Sequence, residues 1–157
     1  SVENGEIVGR SNGLKQNEFL TADLAAADFR LKVDVNLVDN RGNSGIQFRS
    51  QRLPDGSVKG YQADIGRGWW GKLYEEHGRK ILWDKNRDAL AKKGEWTTYE
   101  ILAVGSKIQT RINGTLCVDL DDPKGARTGI FRLQVHSGGP TEVRFRNFRL
   151  VRGPTAN

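Results

Sequence analysis

The sequence contains no methionine, one cysteine, two histidines and four prolines among 157 residues. A single thiol, Cys117, excludes an internal disulfide and a cysteine-built metal site. It lies between Leu116 and Val118 in an apolar segment, where a free cysteine behaves as a small buried hydrophobe. No apolar run approaches the roughly 20 residues that a membrane-spanning helix needs, so no membrane span is predicted. No segment holds a helical apolar period beyond about two turns, which excludes a helical bundle. With no methionine, the chain opening at Ser1 reads as one whose translation start has been removed or trimmed. A signal peptide or fused module would leave no trace in it.

Glycine is plentiful, with 19 residues, and it marks the many tight turns of an all-β protein. Phe29, Leu31, Val33, Val35 and Leu37 alternate with Arg30, Lys32, Asp34 and Asn36, the period of a half-buried antiparallel strand. Ile46 and Phe48 oppose Gln47 and Arg49, and Tyr61, Ala63 and Ile65 oppose Gln62 and Asp64. Further strands are predicted over 1–10, 81–83, 96–104, 107–112, 115–121, 129–136 and 142–151. Gly105-Ser106 and Asn113-Gly114 are two-residue hairpin signals. Residues 19–21 read as a brief extended piece, 22–27 as a short helical or turn segment, and 88–93 as one turn of helix. Nine to ten short strands predict a two-sheet antiparallel β-sandwich over 1–152, with 153–157 a tail or linker.

The balance of 25 Lys+Arg against 19 Asp+Glu gives a net charge of +6. A basic chain raises the question of nucleic acid. The charges are scattered, however, and no helix-turn-helix, zinc knuckle or single-strand-binding signature accompanies them. Nucleic acid is not an expected partner.

Opposite the core, Gln47, Arg49, Gln62, Asp64, Gln134 and His136 share one strand parity. Arg111 and Asn113 share it if their hairpin runs in the same sheet. Planar, bidentate groups of this kind suit hydroxyls and carbonyls; an ordinary solvated face is the alternative. Trp69 and Trp70 sit in a glycine-rich turn, with Tyr74 close behind, and offer either sugar-stacking faces or core bulk. An imidazole titrates near neutrality, so His136 suits a general base, or else a strand-end hydrogen bond. His77 reads as surface.

Asp64, Glu75 and Glu76 are the nearby carboxylates. Adjacent Glu75 and Glu76 point to opposite faces and cannot form the carboxyl pair of an ordinary glycosidase, about 5–5.5 Å or 6.5–9.5 Å apart. Asp119, Asp121 and Asp122 could hold calcium, although an acidic turn before Pro123 is the plainer reading. No other cofactor is expected.

Six segments occur in order: Asn43-Ser44-Gly45-Ile46-Gln47-Phe48-Arg49, Gly60-Tyr61-Gln62-Ala63-Asp64-Ile65, Gly94-Glu95-Trp96 with Tyr99-Glu100-Ile101, Ile112-Asn113-Gly114, Gly129-Ile130-Phe131-Arg132-Leu133-Gln134-Val135-His136, and Phe145-Arg146-Asn147. Together they resemble the 3-keto-disaccharide hydrolase family over nearly the whole chain. The resemblance implies a concanavalin A-like jelly roll with a ligand groove on its concave sheet. It also implies periplasmic or extracellular bacterial proteins that act on sugars, often fused to other modules. Many members carry Glu where Gln62 stands here, so no carboxylate role passes to that position.

The expected function is therefore a hydrolase or lyase that cleaves 3-keto-glycosides. A ketone at C3 acidifies the C2 proton, so such a site needs one base, donors for an enolate oxygen and a leaving-group acid. His136 is the expected base, with Asp64 or Glu75 as second candidates. Arg49, Gln62 and Gln134 are the expected donors, and Gln47, Trp69, Trp70, Tyr74, Arg111 and Asn113 the other substrate contacts. The alternative is a non-catalytic, lectin-like carbohydrate-binding module of a larger secreted protein.

Overall fold

The computed structural model describes residues 1–155. Strands are numbered along the chain and form two antiparallel sheets. The larger runs edge to edge through β1 (Val2–Glu3), β2 (Glu6–Ser11), β13 (Thr141–Arg152), β4 (Phe29–Leu37), β9 (Thr97–Val104), β10 (Lys107–Ile112) and β11 (Thr115–Asp121). The smaller runs through β3 (Glu18–Ala26), β12 (Gly129–Val135), β5 (Asn43–Arg52), β6 (Val58–Gly66), β7 (Leu73–Glu76) and β8 (Lys80–Trp83).

Alternation along each strand drives the two sheets together. In β4 every residue of the apolar set Phe29, Leu31, Val33, Val35 and Leu37 is buried against the other sheet. Facing them are Ile46 and Phe48 of β5 and Tyr61, Ala63 and Ile65 of β6. Phe29 meets Phe48 and Phe131 edge-on, and Phe48 stacks on Tyr61. Each such side chain contributes about 1.5–3 kcal/mol on burial. Cys117 lies in this core as expected.

The sandwich is the predicted one, with more strands than the pattern revealed. Residues 1–10 form a hairpin rather than one strand, because Asn4 and Gly5 both take positive φ, the conformation of a type I′ turn. The 22–27 segment is not helical. It belongs to β3, where Ala25 and Ala26 pair with Ile130 and Gly129. β3 is an edge strand whose outer residues stay wet, so it lacks a clean alternation, and pairing with β12 overrides the alanines' local preference. Among the described residues the helical content is confined to 3-10 turns at Val38–Asn40 and Asp88–Leu90. The Gly153 amide donates to the Asp28 carbonyl at 2.9 Å, while Ala156 and Asn157 of the expected tail lie outside the described residues.

Candidate functional site

The outward face of the smaller sheet is organised in rows across the strands. One row runs Gln134–Gly45–Asp64, and the next runs Arg132–Gln47–Gln62–Tyr74. His136 follows the first row's strand, its amide bonded to the Asn43 carbonyl at 3.1 Å. These rows floor a cleft of about 300 Å³. Asp64, Gln62 and Gln134 form its base, His136 and Asn43 one end, and Trp69, Tyr74 and Glu76 the other.

A chain of side-chain hydrogen bonds crosses the floor. Arg132 Nη1 donates to Gln47 Oε1 at 3.3 Å, and Gln47 Nε2 donates to Gln62 Oε1 at 3.1 Å. Gln62 Nε2 then donates to Asp64 Oδ1 at 2.9 Å and to Gln134 Oε1 at 3.3 Å. Gly45 makes this possible. A Cβ there would lie 2.5 Å from Cγ and Cδ of Gln62, so only glycine lets the amide cross β5 to reach Gln134. Of the side chains lining the cleft, two keep a buried atom without a partner among the described residues: Asp64 Oδ2, an acceptor, and Gln134 Nε2, a donor. An orphaned polar atom costs about 1–3 kcal/mol, so these two are the cleft's open hydrogen-bonding positions.

Burial pushes the Asp64 carboxyl up to about 7, and the nearby Glu76 adds to the rise. The Gln62 amide and Lys72 oppose it. Near neutrality Asp64 therefore exchanges between an acid and a base. His136 Nδ1 lies 2.7 Å from the Ser137 carbonyl. A carbonyl only accepts, so Nδ1 carries the proton and the neutral ring keeps its lone pair on Nε2. Asn17 accepts the Ser137 amide at 2.8 Å and holds this corner in place. On the far wall, Lys72 sits 5.1 Å from the Trp69 ring and pairs with Asp84 at 2.6 Å.

Residues 1–151 match the family described as the 3-keto-alpha-glucoside-1,2-lyase-like domain. The chain belongs to that family. Comparison with curated proteins gives no match. Among solved structures, the chain is similar to the carbohydrate-binding module CBM66 from Bacillus subtilis, with a TM-score of 0.71 at 21% identity over 91% of this chain and 84% of that one. It is also similar to a Parabacteroides distasonis protein whose name proposes a glycosyl hydrolase, with a TM-score of 0.75 at 20% identity over 97% and 89%. A Bacillus subtilis protein with a galectin-like fold gives a TM-score of 0.68 at 10% identity over 94% and 88%. At these identities the likeness is one of fold alone: a jelly roll.

In this member of the 3-keto-alpha-glucoside-1,2-lyase-like family, the cleft gathers Gln62, Asp64, Trp69, Tyr74, Gln134 and His136 of the residues expected from sequence. Gln47 lies beneath, fully buried, as a link in the floor. The others stand elsewhere.

Arg49 is fully buried and turned away from the cleft. Its guanidinium donates to the carbonyls of Ala27 (2.9 Å), Gly105 (2.7 Å) and Ala126 (3.2 Å) and to Asp28 Oδ1 (3.2 Å). A bulge after Phe48 breaks the parity that had placed it outward. Trp70 is 2% exposed, stacks on Tyr99 and donates its indole N–H to Asn40 at 3.0 Å, so it is core. Arg111 and Asn113 have the expected parity but belong to the other sheet. Arg111 sits beside Arg30 and Glu100, and Asn113 braces its hairpin by bonding Thr98 N and Leu90 O.

Glu75 faces inward and is bound by Arg79 at 2.8 Å, together with Asp122. It is not a base for the cleft. Asp122 also accepts from Tyr61, whereas Asp119 bonds Gln109 and Lys107 at an exposed edge. The acidic run is thus divided between two faces, and the described residues hold no grouping of metal-ligating side chains. Arg79 holds the Asp122 carboxyl down at about 2. A carboxylate depressed on folding stabilises the protein above its ordinary range and loses that contribution as pH falls. Stability is expected to drop by roughly 1–2 kcal/mol between pH 4 and 2, allowing for the exposure of Arg79, and Asp122→Asn should remove this limb in acid-denaturation curves.

Asn17 and Asn43 line the cleft without having been expected there, and Glu76, expected only as a nearby carboxylate, lines it as well. Asn43 shares parity with Gly45 and Gln47, and that signal was available. That Glu76, rather than Glu75, faces the cleft became legible only with the β6–β7 register, in which Glu76 pairs with Gly60 and Glu75 with Tyr61. Asn17 lies in a loop and carried none.

Proposed function

We propose that the cleft binds a 3-keto-glycoside and cleaves it by elimination across C1–C2. The observation carrying this reading is the buried, unpartnered pair Asp64 Oδ2 and Gln134 Nε2 in one cleft with the free Nε2 of His136. Gln134 Nε2 donates to the C3 ketone oxygen. His136 Nε2 takes the C2 proton, and the C–H electron pair forms the enolate, whose negative oxygen the Gln134 N–H stabilises. The enolate then re-forms the ketone, a C1–C2 double bond forms, and the C1–O bond breaks. Asp64, protonated, gives its proton to the departing glycosidic oxygen. Water added across the double bond completes a net hydrolysis.

Trp69 and Tyr74 supply faces for the sugar's C–H surface, and Glu76 accepts a hydroxyl. The family membership supports a glycoside-acting enzyme, and the jelly-roll relatives support a sugar ligand. On this reading the domain is one unit spanning 1–152 that works in the periplasm or outside the cell, joined to other modules in a larger protein. The likeness to CBM66 favours a second reading, a binding module without turnover.

The deciding experiment offers matched disaccharides with and without the 3-keto group. The enzyme reading expects turnover of the keto form alone. Binding of both with turnover of neither leaves the binding module. Because Asp64 must be protonated to act, turnover should fall as pH rises through about 7. A rate that stays level to pH 9 removes Asp64 as the acid.

A further inference from the structure

The geometry points to Arg132 as a positioning residue that sets the direction of every amide in the cleft floor, and so decides which atoms of Asp64 and Gln134 face the ligand. An amide can turn end for end at little steric cost, and with Asp64 protonated, able to donate as well as accept, three glutamines in contact could settle in either sense. A guanidinium cannot, because it only donates. Arg132 Nη1 on Gln47 Oε1 therefore turns the Gln47 NH₂ toward Gln62 Oε1. That bond in turn aims the Gln62 NH₂ at both Asp64 and Gln134. Gln134 then has its oxygen occupied, and its own NH₂ is left free for the ligand.

Arg132 itself is held by Phe19, with its guanidinium carbon 3.7 Å from the ring centroid. This stacking fixes a planar fork in a way a flexible ammonium would not share. The inference deepens the proposed function, since that reading gives Gln134 a donor's task. Its test does not depend on it, because the row's direction is read in the protein without ligand.

The readout is the titration of Asp64, followed by the chemical shift of its carboxyl carbon. The groups facing Asp64 are Gln62 on its own strand, Glu76 and Tyr74 from β7, Lys72 before it, and Tyr99 from the opposite sheet, whose hydroxyl reaches the Asp64 carbonyl. Arg132 is not among the charges acting directly on Asp64. Gln47→Leu, which keeps the Arg132 charge, therefore tests that an effect on that titration travels through the amides.

Arg132→Met leaves Gln62 free to turn its oxygen toward Asp64, and the midpoint should rise by roughly one pH unit, the worth of one hydrogen bond to a carboxylate. Arg132→Lys keeps a donor at the head of the row and should restore most of the shift. Gln47→Leu cuts the row one link on while leaving Arg132 on Phe19, and should reproduce the rise even if Arg132→Met folds poorly. Arg52→Met removes a neighbouring charge without touching the row and should change nothing. A midpoint unchanged in Arg132→Met and Gln47→Leu, or moved equally by Arg52→Met, overturns the inference.

Discussion

Replacing His136 by glutamine should lower turnover of a 3-keto-glycoside by roughly 10²–10⁴-fold while leaving binding of a non-reactive analogue nearly intact. Glutamine keeps a hydrogen-bonding end but cannot take the C2 proton. Asp64→Asn should cost a similar factor with an alkyl aglycone, because an amide has no proton to give the leaving oxygen. The two variants separate when the aglycone is a nitrophenol. Nitrophenolate leaves without protonation, so Asp64→Asn should recover much of its rate and His136→Gln should not. Steady-state rates on the two substrates check this. Equal losses on both would remove Asp64 as the acid, and a His136→Gln rate equal to wild type would place the base elsewhere.

Arg49→Ala should destabilise the fold by about 3–5 kcal/mol, read as a lowered denaturation midpoint with the cleft's chemistry unaltered in whatever fraction stays folded. The substitution removes the donor from three buried-side carbonyls at once and leaves a hole where a fully buried side chain stood. Arg49→Lys should recover little, since one ammonium cannot span carbonyls that a planar fork meets along several directions. A loss below about 0.5 kcal/mol, typical of an exposed polar side chain, would show that the clamp contributes nothing.

The sandwich was legible because strand alternation reports which face is dry. Phe29 to Leu37 shows this most plainly, with each apolar residue buried in turn. Parity also found the floor of the cleft, since Gln62, Asp64 and Gln134 stand opposite core residues. It failed in distinct ways. A bulge turned Arg49 inward, and no local pattern announces a bulge. Arg111 and Asn113 kept the right parity in the wrong sheet, because alternation says nothing about which strands pair. Trp70 was ambiguous for a reason of chemistry: an indole suits a sugar's face and a protein core equally well. The direction of the amide row could not be read at all. It depends on Arg132 meeting Gln47 across β12 and β5, strands that lie far apart along the chain.

The strand order also bears on how the protein is made. β13, the last strand, lies between β2 and β4, and β12 lies between β3 and β5. As the chain emerges from a ribosome, both sheets therefore wait with a gap at an interior position until their final quarter arrives. The waiting partners expose unpaired backbone along four strands, which invites pairing with other chains. Residues 129–136 also carry Gln134 and His136, so the sheet's closing strand brings that end of the cleft with it. A nascent chain has no half-built cleft to misuse; the site exists only once the fold is shut.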